Sequence, residues 1–327
     1  MPRYINPFID YGFKKLFATE GNKDILISFL NAVIEDNADP IVDLTHKNVE
    51  QIGEFNGERS SYFDVFCQTT NGRQFIVEMQ NSWQLFFKDR TLYYAAKAIR
   101  EQGIKDDPIK RKRAKEKAKK KWNYRLNEVY LIAIMNFTFP ENEYGPNDYC
   151  HRVMLTDLAD QHVFYDKLTL IYLEMPKVGD VELDMNRPLD RWLKVLYMLW
   201  GEEDCPPELD EPVFHKLYLE AEFARFTPNQ QNTYESSWMR ELDIYNQIEG
   251  GRIMGQEEGR KEGREEGRKE GREEGREEGR KEGFKDGQVK GRAESTLEIA
   301  QKMKAKNFDM DTIVQITGLS EEELLDL

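Results

Sequence analysis

The 327-residue chain is poor in the residues that crosslink proteins or bind soft metals. It has three cysteines, Cys67, Cys150 and Cys205, widely spaced and with no CxxC pair. That excludes a zinc-finger pattern, and three thiols cannot all pair, so reduced thiols in a cytoplasmic protein are expected. The four histidines, His46, His151, His162 and His215, show no metal-ligand spacing and are expected to be structural. No apolar run approaches the roughly 18 residues of a membrane-spanning helix. The opening MPRYINPF has neither a basic n-region nor an apolar h-region, so no signal peptide is expected. Net positive charge is lacking too, the balance being -14 at pH 7. That argues against a uniformly basic nucleic-acid binder and leaves any such role to local charge.

What is present is 39% hydrophobic and 33% charged residues, consistent with a globular body joined to a very polar segment. The length allows one large domain or two ordinary ones. The central stretch runs from Tyr62 to Gln80, YFDVFCQTTNGRQFIVEMQ. Two strand-like runs flank Asn71-Gly72, a hairpin signal of type I′, which needs φ > 0 at both central residues. The first run alternates, with Phe63, Val65 and Cys67 on one face and Tyr62, Asp64 and Phe66 on the other. In the second, Glu78 and Gln80 are two apart and share a face. An acid in an apolar strand is costly to bury unless it is paired or meets a cation. Carboxylates from neighbouring strands, Asp64 and Glu78, suit a hard ion such as Mg²⁺. The alternative is that both are merely hydrogen-bonded strand acids.

The flanking segments frame this hairpin. Phe13, Leu16, Phe17, Ile25, Leu26, Phe29, Leu30 and Val33 recur at helical spacing, broken near Gly21-Asn22, so one or two helices cover roughly 11–35. Residues 41–55 read as a strand ahead of Asn56-Gly57. Residues 83–101 read as an amphipathic helix, and the apolar run 128–137 as a strand buried on both faces. The order is α-β-β-β-α-β. Beyond it, 168–175 is a strand candidate within the less regular 141–187, and Pro188 to Trp200 reads as a helix with Pro in its first turn. Two more helices are expected over 210–226 and 229–249.

That order, with INPFIDYGFKKLF, FDVFC, FIVEMQ and FKDRTLYYAAKAIREQ following one another, resembles the Rpn family of recombination-promoting nucleases and transposases. The family belongs to the PD-(D/E)XK nuclease superfamily. The likeness is close over residues 1 to about 140 and looser to about 250. It implies an α/β, restriction-endonuclease-like core: a mixed sheet flanked by helices, with a C-terminal helical extension. The domains expected are 1–250 (core 1–140, helical extension 180–250), 251–292 and 293–327. It also implies that Asp64 and Glu78, with the backbone carbonyl of Met79, bind Mg²⁺ or Mn²⁺. Gln80 stands where the superfamily usually has Lys; it can orient a water but cannot stabilise hydroxide by charge. Asp10, ahead of the first helix, either completes the metal site or caps that helix, and Glu20 is a weaker alternative acid. Arg90 either contacts phosphate or pairs on the surface.

Between Lys110 and Arg125 lie ten basic residues, Lys110, Arg111, Lys112, Arg113 and Lys115 among them, against one acid, Glu116. This local block fits backbone electrostatics for DNA and carries no sequence information; a solvated loop is the plainer reading. From Gly255 to Gly291 a glycine falls at every fourth position, separated mostly by Arg-Glu-Glu or Arg-Lys-Glu. Each glycine costs a helix roughly 0.8–1 kcal/mol relative to Ala, more than i,i+4 ion pairs return at roughly 0.2–0.5 kcal/mol each. The repeat is therefore either a polar tether or a helix whose glycine column lets a partner helix, such as a second copy, approach. Residues 293–327 read as a small helix-turn-helix-like end, with Ser320 and Glu323 as a capping box. Its last helix, EEELLDL, is acidic where a DNA-reading helix needs basic or amide groups.

Two functions follow. One is a Mg²⁺-dependent DNA endonuclease acting in recombination or on mobile DNA, with no membrane partner. The other is a catalytically weak DNA-binding or self-associating protein on a nuclease-like fold.

Overall fold

The computed structural model describes residues 2–36, 38–47, 50–51, 61–105, 124–140 and 143–327. The basic residues Lys110, Arg111, Lys112, Arg113 and Lys115 and the Asn56-Gly57 turn lie outside the described residues. The chain forms two compact units, Met1–Tyr245 and Asn246–Leu327.

The first unit is built on a six-stranded mixed sheet in the order β1-β4-β5-β6-β8-β7. The strands are β1 Leu44–His46, β4 Val65–Thr69, β5 Gln74–Gln80, β6 Val129–Met135, β7 Cys150–Thr156 and β8 Val163–Glu174. A separate pair joins β2 Glu50–Gln51 to β3 Ser61–Tyr62. β4 pairs antiparallel with β5, while β5, β6 and β8 run parallel. β6 is buried at every residue but Tyr130, as its unbroken apolar run demands. β7 falls in the stretch that reads as irregular, and β8 begins five residues ahead of Leu168, where the sequence pattern starts it.

The two sheet faces carry different helices. Helices α1 Asp10–Phe17 and α2 Lys23–Ile34, joined by a 3₁₀ turn at Glu20–Asn22, cover one face. Their Phe13, Phe17, Ile25 and Phe29 pack with Val65, Phe75 and Val77, and with Trp192 of α5 (Pro188–Met198). Helix α3 Phe87–Lys105 covers the other, with Phe87, Ala95 and Ala98 against Phe66, Ile76 and Leu131. Burying each large side chain is worth about 1.5–3 kcal/mol, so both faces of β5 are firmly held. Glu78 and Gln80 alternate onto the α3 face with Ile76.

After the short α4 (Met175–Val178), α5 and α6 (Pro212–Ala221) complete the helical layer. The lead-in is tied to the later chain by the Ile5 N–H to Ala221 carbonyl bond (2.9 Å) and the Asn6 N–H to Tyr234 Oη bond (2.8 Å). Tyr234 lies on α7, which runs unbroken from Pro228 to Ala305 and takes in the whole glycine repeat. The ten repeat glycines have nothing within 4 Å of where a Cβ would sit.

In the second unit, α8 (Met310–Thr317) and α9 (Glu321–Leu325) fold onto the end of α7 around Ala300, Ile313 and Leu324. Gly318 takes φ 70° after α8, and Ser320 and Glu323 form the capping box. Among the described residues, no helix is long and apolar enough to cross a membrane.

Three local expectations are corrected. The Asn71-Gly72 connection is not type I′: only Gly72 has positive φ, at 97°. The Gly72 N–H bonds the Thr69 carbonyl and the Thr69 N–H bonds the Arg73 carbonyl, giving a three-residue loop of the kind that ends in a left-handed glycine. Asn71 instead spends its side chain on Thr69 Oγ1 and Asp39. Asp10 is the first residue of α1, not its N-cap; Ile9 is. Helix α3 begins at Phe87, and Trp83 to Phe86 form an exposed loop.

Candidate active site

Asp64 is placed by the start of β4. The ladder between β4 and β5 ends at Val65–Val77, leaving the Met79 N–H without a strand partner on that side. The Asp64 carboxylate takes its place, accepting that N–H at 2.8 Å. Asp64 therefore sits just ahead of the strand, not inside it, and its side chain turns back to the end of β5.

Glu78 lies in β5 and is 6% exposed, with Oε1 buried and lacking any hydrogen-bond partner. Burial, then the neighbouring Asp64 charge, push its carboxyl well above the usual range, and Arg90 only partly opposes them. Asp64 is raised as well, chiefly by burial, against the Met79 N–H and Lys14. Burial of both carboxyls, with the Asp64 charge acting on Glu78, favours retention of a proton at the pair in the metal-free protein. A buried carboxylate oxygen with no donor is unfavourable unless it meets a proton or a cation. The pair, with the Met79 carbonyl next in the chain, fits a hard divalent ion, which takes carboxylate and carbonyl oxygens.

Two cations reach this pair from opposite faces of the sheet. From α1, Lys14 Nζ lies 2.5 Å from Asp10 Oδ1 and 3.7 Å from Asp64 Oδ1. Its ammonium pKa is raised: burial opposes protonation, but the Asp10 hydrogen bond and the charges of Asp10, Asp64 and Glu78 outweigh it. From α3, the Arg90 guanidinium donates to Gln80 Oε1 at 2.5 Å and to Gln84 Oε1. It lies 5.2 Å from the Phe87 ring and 5.8 Å from the Tyr94 ring. Its Nε is buried without a partner. Tyr94 is raised by burial and by Glu78, which places its hydroxyl in the same field.

Gln80 is fully engaged in orienting its neighbours. Its Oε1 receives Arg90, and its Nε2 donates to the Ser82 carbonyl at 2.9 Å. The Gln80 carbonyl accepts the Asn136 N–H at 2.9 Å, and Asn136 donates in turn to Asn81. The C-terminal end of β5 is thus fixed from several sides.

Asp64, Glu78, Met79, Gln80 and Arg90 are brought together as their sequence positions imply. Asp10 is close, but through Lys14. Among the described residues, the one group of three or more candidate ligands with atoms all within 4.8 Å is Asp157, Asp160 and His162. Those three lie exposed between β7 and β8, and Asp10 does not close a three-acid cluster with Asp64 and Glu78. Glu20 lies in the 3₁₀ turn beside Lys23, 3.4 Å away. Sequence reading missed Lys14 and Tyr94. The one signal for Lys14 was its i+4 position from Asp10, which puts both on the same side of α1.

A family model for PD-(D/E)XK nuclease family transposases matches residues 7–251. A second, for the C-terminal helix-turn-helix domain of the Rpn/YhgA-like nuclease family, matches residues 293–327. No curated protein and no solved structure matches the chain. The first match spans most of the sequence and contains every residue of the site, and the chain belongs to the PD-(D/E)XK nuclease transposase family, with an Rpn/YhgA-like helix-turn-helix domain at its C-terminal end.

Proposed function

We propose that this protein is a divalent-metal-dependent DNA endonuclease, using Mg²⁺ or Mn²⁺, that acts on mobile or recombining DNA. The observation that carries the reading is the partnerless buried Glu78 Oε1 beside Asp64, with both carboxyls raised. Asp64, Glu78 and the Met79 carbonyl are the residues that would hold the metal. When bound, the metal supplies an activated water and neutralises charge at the phosphorus.

The remaining residues have separate work. Lys14, held between Asp10 and Asp64, supplies the positive charge that Gln80 cannot. The Asp10 contact keeps its ammonium protonated, so it stabilises anionic oxygen at the site rather than acting as a base. Gln80 and Gln84 aim the Arg90 guanidinium, whose planar donors suit a phosphate. The Arg90 guanidinium donates to two neutral amide oxygens, so its charge serves the buried pair and remains for the substrate phosphate. The basic block from Lys110 to Lys115 adds sequence-independent attraction to the DNA backbone.

A plasmid-nicking assay with Mg²⁺ tests the reading on wild type and Asp64→Ala. Nicking by wild type that Asp64→Ala loses supports it; equal behaviour of the two refutes it.

A further inference from the structure

Between Gln80 and the first turn of α3 the chain runs Ser82-Trp83-Gln84-Leu85-Phe86. Trp83 is 52% exposed, Leu85 67% and Phe86 70%. Three large apolar side chains within four residues of one short loop are thus half or more in water, and such a patch marks a contact surface. Phe86 also holds φ 61°, a left-handed conformation that a bulky residue rarely adopts. Strain of this kind persists at ligand-binding segments when the surroundings over-determine it.

The surroundings do so here. The Ser82 carbonyl receives Gln80, Gln84 receives Arg90, and the Phe86 carbonyl receives the Arg90 N–H at 3.0 Å. Every tie leads to a residue of the carboxylate site. Tyr93, 45% exposed and about two turns beyond Phe86 on α3, extends the aromatic surface. Aromatic faces beside a guanidinium directed at phosphate suit nucleic-acid bases, which have a π-face whatever their sequence. In a stacked duplex those faces are hidden; apolar wedges reach them where bases are unstacked or where the wedge itself unstacks them.

We propose that the Trp83–Phe86 loop stacks on unpaired bases next to the phosphate held at the site, so the substrate class is DNA with a bulge, a junction or a strand boundary. The inference deepens the endonuclease reading and rests on it for the placement of DNA.

The test uses the full chain and two probes: a duplex carrying a short bulge labelled with 2-aminopurine, and the same duplex fully paired. Binding is measured by anisotropy and 2-aminopurine fluorescence without added divalent ion. Wild type is expected to bind the bulged probe about tenfold more tightly, the scale of stacking on one base, and to change its fluorescence. A Trp83→Ala, Phe86→Asn double variant is expected to lose that preference while keeping its affinity for paired DNA. Asn tolerates φ > 0, and neither side chain is buried, so folding is retained. Equal wild-type affinity for the two probes, or an unchanged preference in the double variant, overturns the proposal. Nicking in Mg²⁺ is scored separately. Nicking without bulge preference removes only the stacking role, whereas preference without nicking removes only the endonuclease reading.

Discussion

Glu78 and Asp64 oppose one another in the folded protein, and this has a measurable sign. Both folded-state carboxyls are raised chiefly by burial, Glu78 further by the Asp64 charge and Asp64 further by Asp10, so the folded chain retains protons that the unfolded chain releases near pH 4. Stability of the metal-free protein therefore falls as pH rises from the ordinary carboxylate range through the raised one. Glu78→Gln removes one charge of the pair. It is expected to flatten that slope and raise the melting temperature, by about 2–4 °C per kcal/mol relieved, while abolishing nicking. Thermal melts with and without Mg²⁺ across pH check this: Mg²⁺ should stabilise wild type more at high pH and leave Glu78→Gln unmoved. Lys14→Ala is expected to lower kcat by about 10²-fold, as for removal of one preorganised donor to developing charge. Single-turnover rates at saturating Mg²⁺ read that loss, and a wild-type rate would remove Lys14 from the mechanism.

At the scale of elements, the site depends on how α1 meets the lead-in. A Cβ on Gly12 would lie 2.4 Å from the Asn6 carbonyl oxygen, so only glycine allows this approach. Gly12→Ala is expected to cost about 1–3 kcal/mol through overpacking and to displace Asp10 and Lys14 from Asp64. Denaturant melts and nicking rates measure both, and an unchanged midpoint would mean that the contact yields freely. The hairpin was legible because acids stand out in apolar strand runs and because glycine punctuates the turn. Lys14 was not legible, since lysines are ordinary on an exposed helix face and only the fold brings this one to Asp64. β7 was missed because it is an edge strand, largely exposed, and so lacks a buried period. The start of α3 was placed too early because Trp83, Leu85 and Phe86 prolong an apolar pattern that the protein leaves in water.

At the scale of the whole molecule, the first unit carries the nuclease-like sheet and the second ends in a small helical module. That module, residues 293–327, has eight acids against three lysines. Its family description is a helix-turn-helix domain, yet its charge opposes the DNA backbone. The glycine repeat is helical along its length, against glycine's own preference. One ion pair recorded within it, Lys281–Glu277 at 2.9 Å, is of the kind worth only a few tenths of a kcal/mol. A peptide spanning 246–292 is accordingly expected to be only partly helical by circular dichroism. Replacing four of its glycines with Ala should raise helicity strongly, each exchange being worth about 0.8–1 kcal/mol. Full helicity in the unmodified peptide would show that glycine is not the limiting cost.

The proposed metal-dependent cutting site joins Asp64 and Glu78, whose carboxylates meet at the end of β5. It is tested most directly by plasmid nicking, wild type beside Asp64→Ala, with Mg²⁺ and with chelator. Nicking is expected from wild type in Mg²⁺ alone, and from Asp64→Ala under neither condition. Nicking that persists in Asp64→Ala, or that ignores chelation, would contradict it.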